Sequence, residues 1–72
     1  MVKEYVALLE PASDGTWSAY VPDLPGCVCS APTSVEAATL IRDSIAYHIE
    51  GMRAHGDHVP EPTTIAERVS IP

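Results

Sequence analysis

Phenylalanine is absent from this chain and basic side chains are scarce, with four Lys and Arg against ten Asp and Glu for a formal charge of −6. A protein that grips nucleic acid through its own surface normally presents a basic stripe, because phosphate neutralisation dominates such affinity. The composition argues against direct nucleic-acid binding and favours attraction to cationic partners. Cysteine is limited to Cys27 and Cys29. They stand too close for an ordinary disulfide, so no cysteine framework staples the chain, which suits a reducing cytoplasm. The four glycines are scattered at positions 15, 26, 51 and 56, which excludes a Gly-rich phosphate loop. No apolar run approaches the ~20 residues of a spanning helix, and Met1-Val2-Lys3-Glu4 opens into a strand pattern instead of a signal peptide's basic and apolar regions. A soluble, cytoplasmic protein without a membrane partner is expected.

What is present amounts to one domain over residues 1–72. A domain of this size buries only about 60% of the surface its unfolded chain exposes, while ordering costs roughly 1–2 kcal/mol per residue for the backbone alone. Such a core is marginal by itself. Association into a homo-oligomer, dimer or tetramer, is the expected remedy.

Residues 3–10 are rich in strand formers, with Tyr5, Ala7 and Leu9 on one parity and Val6 and Leu8 on the other. Pro11 stops the run, and Ser13-Asp14-Gly15 supplies turn chemistry for a hairpin. Residues 16–21 alternate Trp17, Ala19 and Val21 against Thr16, Ser18 and Tyr20, the period of a second strand. In Pro22-Asp23-Leu24-Pro25-Gly26 the two prolines fix φ and Gly26 tolerates whatever closure demands, so a rigid reversal follows. Asp23 can close an Asx-type turn there. Residues 27–30 form a third strand, ended by Ala31-Pro32.

Thr33-Ser34-Val35-Glu36 matches a capping box and opens a helix. Val35, Ala38, Ile41, Ile45, Ile49 and Met52 recur at three- and four-residue spacing, which predicts one apolar stripe over residues 33–54 with Gly56 as the stop. Arg42, Asp43, Glu50 and Arg53 occupy the opposite side, with Leu40 and Tyr47 on a flank that is core edge or subunit contact. Pro60 and Pro62 keep the following stretch out of helix. Residues 66–71 read as a last short strand, with a helical turn at 64–68 as the alternative. The fold class is α+β, a small antiparallel sheet packed on one long helix, and its second face is left for another copy or a different protein.

Three chemistries can be weighed against structural roles. Cys27 and Cys29 on one side of a strand, with His55 and His58, resemble a zinc set only loosely, since Cys-x-Cys is not the usual zinc spacing. A cysteine nucleophile needs a placed base, and no motif sets His48, His55 or His58 against Cys27. Glu10, Asp14 and Asp23 at strand ends could gather a metal for nuclease chemistry, but each also suits a turn or an edge. No catalytic residue, metal ligand or cofactor is assigned. Trp17 and Tyr20 are either core bulk or interface aromatics.

Tyr5-Val-Ala-Leu-Leu-Glu, then Asp14-Gly-Thr-Trp-Ser-Ala-Tyr-Val-Pro-Asp-Leu-Pro-Gly-Cys, then Thr33-x-x-Glu36-Ala37, a long helix and Val59-Pro60-Glu61-Pro62 together resemble the HicB-like antitoxin family along almost the whole chain. The resemblance implies a partial ribonuclease-H-like β-β-β-α-β domain, non-catalytic, that neutralises a small basic HicA-like RNA-cleaving toxin and forms homo-oligomers. Longer members add an operator-binding module; these 72 residues show none, and Ala31-Pro32 stands where many members carry Gly-Asp. Pro22, Pro25 and Gly26 match positions that brace the turn, and Thr33 and Glu36 cap the helix. Trp17, Tyr20, Asp23 and Leu24 are the candidate partner contacts. The expected function is that of an antitoxin, with an orphan oligomeric protein-binding domain as the alternative from another class and a metal-dependent nuclease, by fold analogy alone, as the third.

Overall fold

The computed structural model describes residues 3–72; the strand reading at Met1 and Val2 lies outside them. Three short strands precede one helix: β1 (Leu8–Pro11), β2 (Trp17–Tyr20), β3 (Val28–Ala31) and α1 (Ser34–Ala54). The sheet is antiparallel in the order β1-β2-β3, and it packs against α1 through small side chains. The protein is α+β.

The β1–β2 turn is set by its residue types. Gly15 takes φ +89°, a left-handed value that suits glycine. Ala12 N–H donates to the Thr16 carbonyl at 2.8 Å, and Asp14 Oδ1 accepts from Thr16 N at 3.0 Å and from its hydroxyl at 2.6 Å. The Thr16 hydroxyl, with the Thr16 amide second, holds the Asp14 carboxyl below its usual value.

Cross-strand register sorts the side chains. Leu9, Ala19 and Cys29 form one row and Pro11, Trp17 and Ala31 another, while Leu8, Tyr20 and Val28 align on the opposite parity. Ala19 and Ala31 join Val21, Leu24, Cys27, Ala37 and Ile41 in the buried core, with Leu9, Trp17 and Cys29 packed around it. Alanines at facing positions let the helix lie close to the sheet. Cys29 Sγ approaches the Ala37 carbonyl at 3.7 Å.

The helix starts where its cap predicts. Thr33 is extended and its hydroxyl accepts from Glu36 N at 3.1 Å. Among the described residues the reciprocal bond from the Glu36 side chain is not formed, so half of the capping box operates. At the other end Gly56 takes φ +73°, its N–H donates to the Arg53 carbonyl at 3.1 Å, and Asp57 N–H donates to the Met52 carbonyl at 2.8 Å. This pair of bonds is a Schellman closure, which uses the left-handed freedom of glycine.

Four expectations are corrected. β1 is regular only from Leu8, and residues 3–7 lie outside the ladder. The buried stripe of α1 runs through Ala37 and Ile41, with Ile45, Ile49 and Met52 partly covered, and Val35 lies outside it at 75% exposure. Ala37, too small to stand out in a hydrophobic pattern, takes the place Val35 was expected to hold. Neither a strand nor a helical turn forms over residues 64–71, so the β-β-β-α-β order reduces to β-β-β-α among the described residues. Asp23 makes no Asx turn; its carboxylate is used elsewhere.

Candidate functional site

The reversal at residues 21–27 is two consecutive turns. Leu24 N–H donates to the Val21 carbonyl at 3.1 Å and Cys27 N–H to the Leu24 carbonyl at 3.0 Å, while Val21 N–H reaches the Cys27 carbonyl at 3.1 Å. Pro22 and Pro25 each occupy the second position of a turn, where a fixed φ is an advantage, and Gly26 follows Pro25 with φ +84°. Between them the chain tucks Leu24 inward. It is 0% exposed, the largest fully buried side chain. Leu24 is thus a core residue with no surface to offer a partner, which corrects its assignment as a contact.

Asp23 points the other way. Its Oδ2 accepts from the backbone N–H of Thr63 and of Thr64, both at 2.9 Å, and its Oδ1 accepts from their hydroxyls at 3.1 and 2.9 Å. The Thr64 N–H foremost, and the other three donors with it, hold the carboxyl below its usual value against the opposing effect of desolvation. The same segment is tied at two further points, Tyr5 Oη donating to the Pro60 carbonyl and Lys3 Nζ pairing with Glu61 at 2.9 Å. Asp23 is therefore a latch for the chain after the helix. Sequence reasoning missed Thr63 and Thr64, because nothing local marks partners forty residues away.

Among the described residues no three of His, Cys, Asp and Glu converge where a metal could sit. Glu10, Asp14 and Asp23 stay apart, the latter two bound to threonines. Burial, and Cys29 beside it, push the Cys27 thiol up, which favours the unreactive protonated form. His55 donates from Nδ1 to the Gly51 carbonyl at 2.8 Å, finishing its own helix. Its role there is structural.

The surfaces are more informative. Trp17 packs beside the core on the helix side, whereas Tyr20 lies between Leu8 and Val28 on the outer row of the sheet. On α1, Glu36, Leu40, Asp43, Tyr47, Glu50 and Ala54 recur at alternating four- and three-residue steps, and all six are exposed. At 3.6 residues per turn they fall within about 80° of one another on the helix. The result is a seam of carboxylates interleaved with apolar side chains, of which Tyr47 is 81% exposed. Arg42 and Arg53 sit off it, in clefts shared with Tyr5 and Ile45. Alternating three- and four-residue spacing is a sequence-level signal, but acid and apolar positions scored separately conceal it.

Comparison with known proteins gives a family match over nearly the whole chain. The family model described as HicB_like antitoxin of bacterial toxin-antitoxin system matches residues 5–72. A 14.9 kDa protein from the rep-hol intergenic region of Haemophilus phage HP1 is 32% identical over 68 residues, covering 94% of this chain and 50% of the phage protein. The chain thus spans about half the length of that relative. A UPF0150 protein of Thermoplasma acidophilum is 29% identical over 68 residues, 94% of this chain and 96% of its own. A UPF0150 protein of Synechocystis is 34% identical over 70 residues, 97% of this chain and 89% of its own. The chain belongs to the HicB-like antitoxin family of bacterial toxin-antitoxin systems.

Proposed function

We propose that this protein is the antitoxin of a toxin-antitoxin pair, and that it neutralises a small basic HicA-like RNA-cleaving toxin by covering its RNA-binding surface. The family match over residues 5–72 carries the reading. The net charge of −6 supports a cationic partner. The α1 seam is the docking face: Glu36, Asp43 and Glu50 attract a basic surface from a distance, and Leu40 and Tyr47 supply the apolar contact that holds it. Tyr20 and Trp17 act from the sheet, Tyr20 as a contact on the outer row and Trp17 as support beneath it. The activity is one of binding, without catalysis or a cofactor.

Two free cysteines are in keeping with a reducing cytoplasm as the place of action, and no described helix is long and apolar enough to cross a membrane. The strand and helix order fits a partial ribonuclease-H-like ancestry, which gives the fold a lineage and no activity.

Co-expression with the neighbouring gene's product tests the function. A small basic protein that co-purifies, loses its RNA cleavage in the complex and dissociates at least tenfold faster from Asp43→Lys or Tyr47→Ala is the expected result. Affinity that falls as salt is raised follows from the charge argument. Failure to co-purify would favour the orphan oligomeric domain, and metal-dependent RNA cleavage abolished by Asp23→Asn would favour a nuclease.

A further inference from the structure

One residue of α1 has no reason in the fold to be what it is. Gly51 stands inside the helix, three residues before its end, and lacks the positive φ that accounts for Gly15, Gly26 and Gly56. Glycine is the poorest helix former after proline, so its place in a helix interior needs a cause. Close packing is not that cause. A Cβ added to Gly51 would meet nothing within 4 Å beyond the helix's own backbone. With backbone conformation and internal packing both set aside, the remaining use of glycine is to let another molecule approach the main chain closely.

The surroundings describe that molecule. Residues three and four apart are neighbours on a helix surface, so Tyr47 lies one turn before Gly51 and Ala54 and His55 one turn after it. Two open clefts, of about 470 and 270 Å³, meet at Tyr47 and Gly51. Tyr47 is 81% exposed and forms a wall common to both. Asp57 lines the larger cleft and Glu50 the smaller, and among the described residues no Lys or Arg lines either. The notch also lies at the carbonyl end of the helix, where the backbone dipole favours cations. An aromatic face, two carboxylates and the negative end of a helix together select a flat cation. Guanidinium stacks on an aromatic ring while its edge donates to carboxylates, which the compact ammonium of lysine does less well.

We propose that the Gly51 notch receives an arginine side chain of a partner protein, its guanidinium against the Tyr47 ring with Glu50 and Asp57 supplying the counter-charge. The proposal rests on the reading of α1 as the face for a basic partner, and it adds which side chain that face selects and which position admits it.

Two substitutions of Gly51 and a small probe test it on the full chain. Gly51→Ala is expected to raise the melting temperature, since the space is open; a lower one would show that the glycine serves the fold and would overturn the premise. In NMR titration, N-acetyl-arginine methylamide is expected to shift the amides of residues 47, 51 and 54 saturably. The neutral isostere N-acetyl-citrulline methylamide, or the Gly51→Leu chain, is expected to bind about tenfold more weakly. Absence of saturable shifts, or equal binding by the citrulline probe or by Gly51→Leu, rejects the notch. A basic protein obtained by co-expression is expected to leave Gly51→Leu about tenfold faster than the unaltered chain. Arginine binding without any co-purifying basic protein keeps the notch and sinks the antitoxin reading, whereas a co-purifying protein indifferent to Gly51→Leu does the reverse.

Discussion

At the residue scale, two positions in the Pro-Asp-Leu-Pro-Gly turn have opposite duties. Leu24 fills the core, and truncation to Ala is expected to cost about 2–5 kcal/mol, enough to unfold most of a domain this small; urea denaturation measures it. Gly26 holds a left-handed backbone, and a Cβ there would meet only His48 Cε1 at 3.9 Å. Space is sufficient, so Gly26→Ala is expected to cost at least about 1 kcal/mol from backbone strain alone. Asp23 brings a pH dependence whose sign is definite. Its folded pKa lies below the ordinary 3.8, so the stability it contributes is complete above about that pH and is lost as pH falls through the lowered folded value. An NMR titration of the Asp23 carboxyl is expected to have its midpoint below 3.8, and the midpoint is expected to rise in Thr63→Val/Thr64→Val, which removes two donors and leaves two.

At the scale of elements, the helix separates positions that a hydrophobic pattern lumps together. Thr33→Ala removes the bond to Glu36 N and is expected to cost about 1 kcal/mol, whereas Val35→Ala, at a mostly exposed site, is expected to change stability by less than about 0.5 kcal/mol. Thermal or chemical melts of the two variants make the comparison. The cap, the three-strand meander and the glycine stop were legible because each depends on neighbours within a few residues. Val35 against Ala37 was not, because which side of a helix faces the sheet depends on where Ala19 and Ala31 allow close approach. The tail was misread for a related reason. Its alternation is genuine, but strand formation requires a partner edge, and periodicity describes a residue's preference without supplying the partner.

For the whole molecule, small core residues, an exposed tail and an acidic helix seam describe a domain that leaves much of its apolar surface uncovered. Trp17 and Tyr20 were marked by their type, but which side of the sheet each occupies follows from register, and the seam on α1 is visible only once acid and apolar positions are read as one set. Affinity for a cationic partner is expected to fall as salt is raised, since the α1 seam is charged; binding measured at low and high ionic strength checks it.

The Asp23 latch also has a topological meaning. It joins positions 40 and 41 residues apart, so it closes a loop that contains β3 and the entire helix. Closing such a loop restricts the chain much as a covalent cross-link would. The two cysteines, both free and two residues apart, cannot provide that link. A carboxylate and two threonines do so instead, as a reversible brace that needs no oxidant to form and that acid releases.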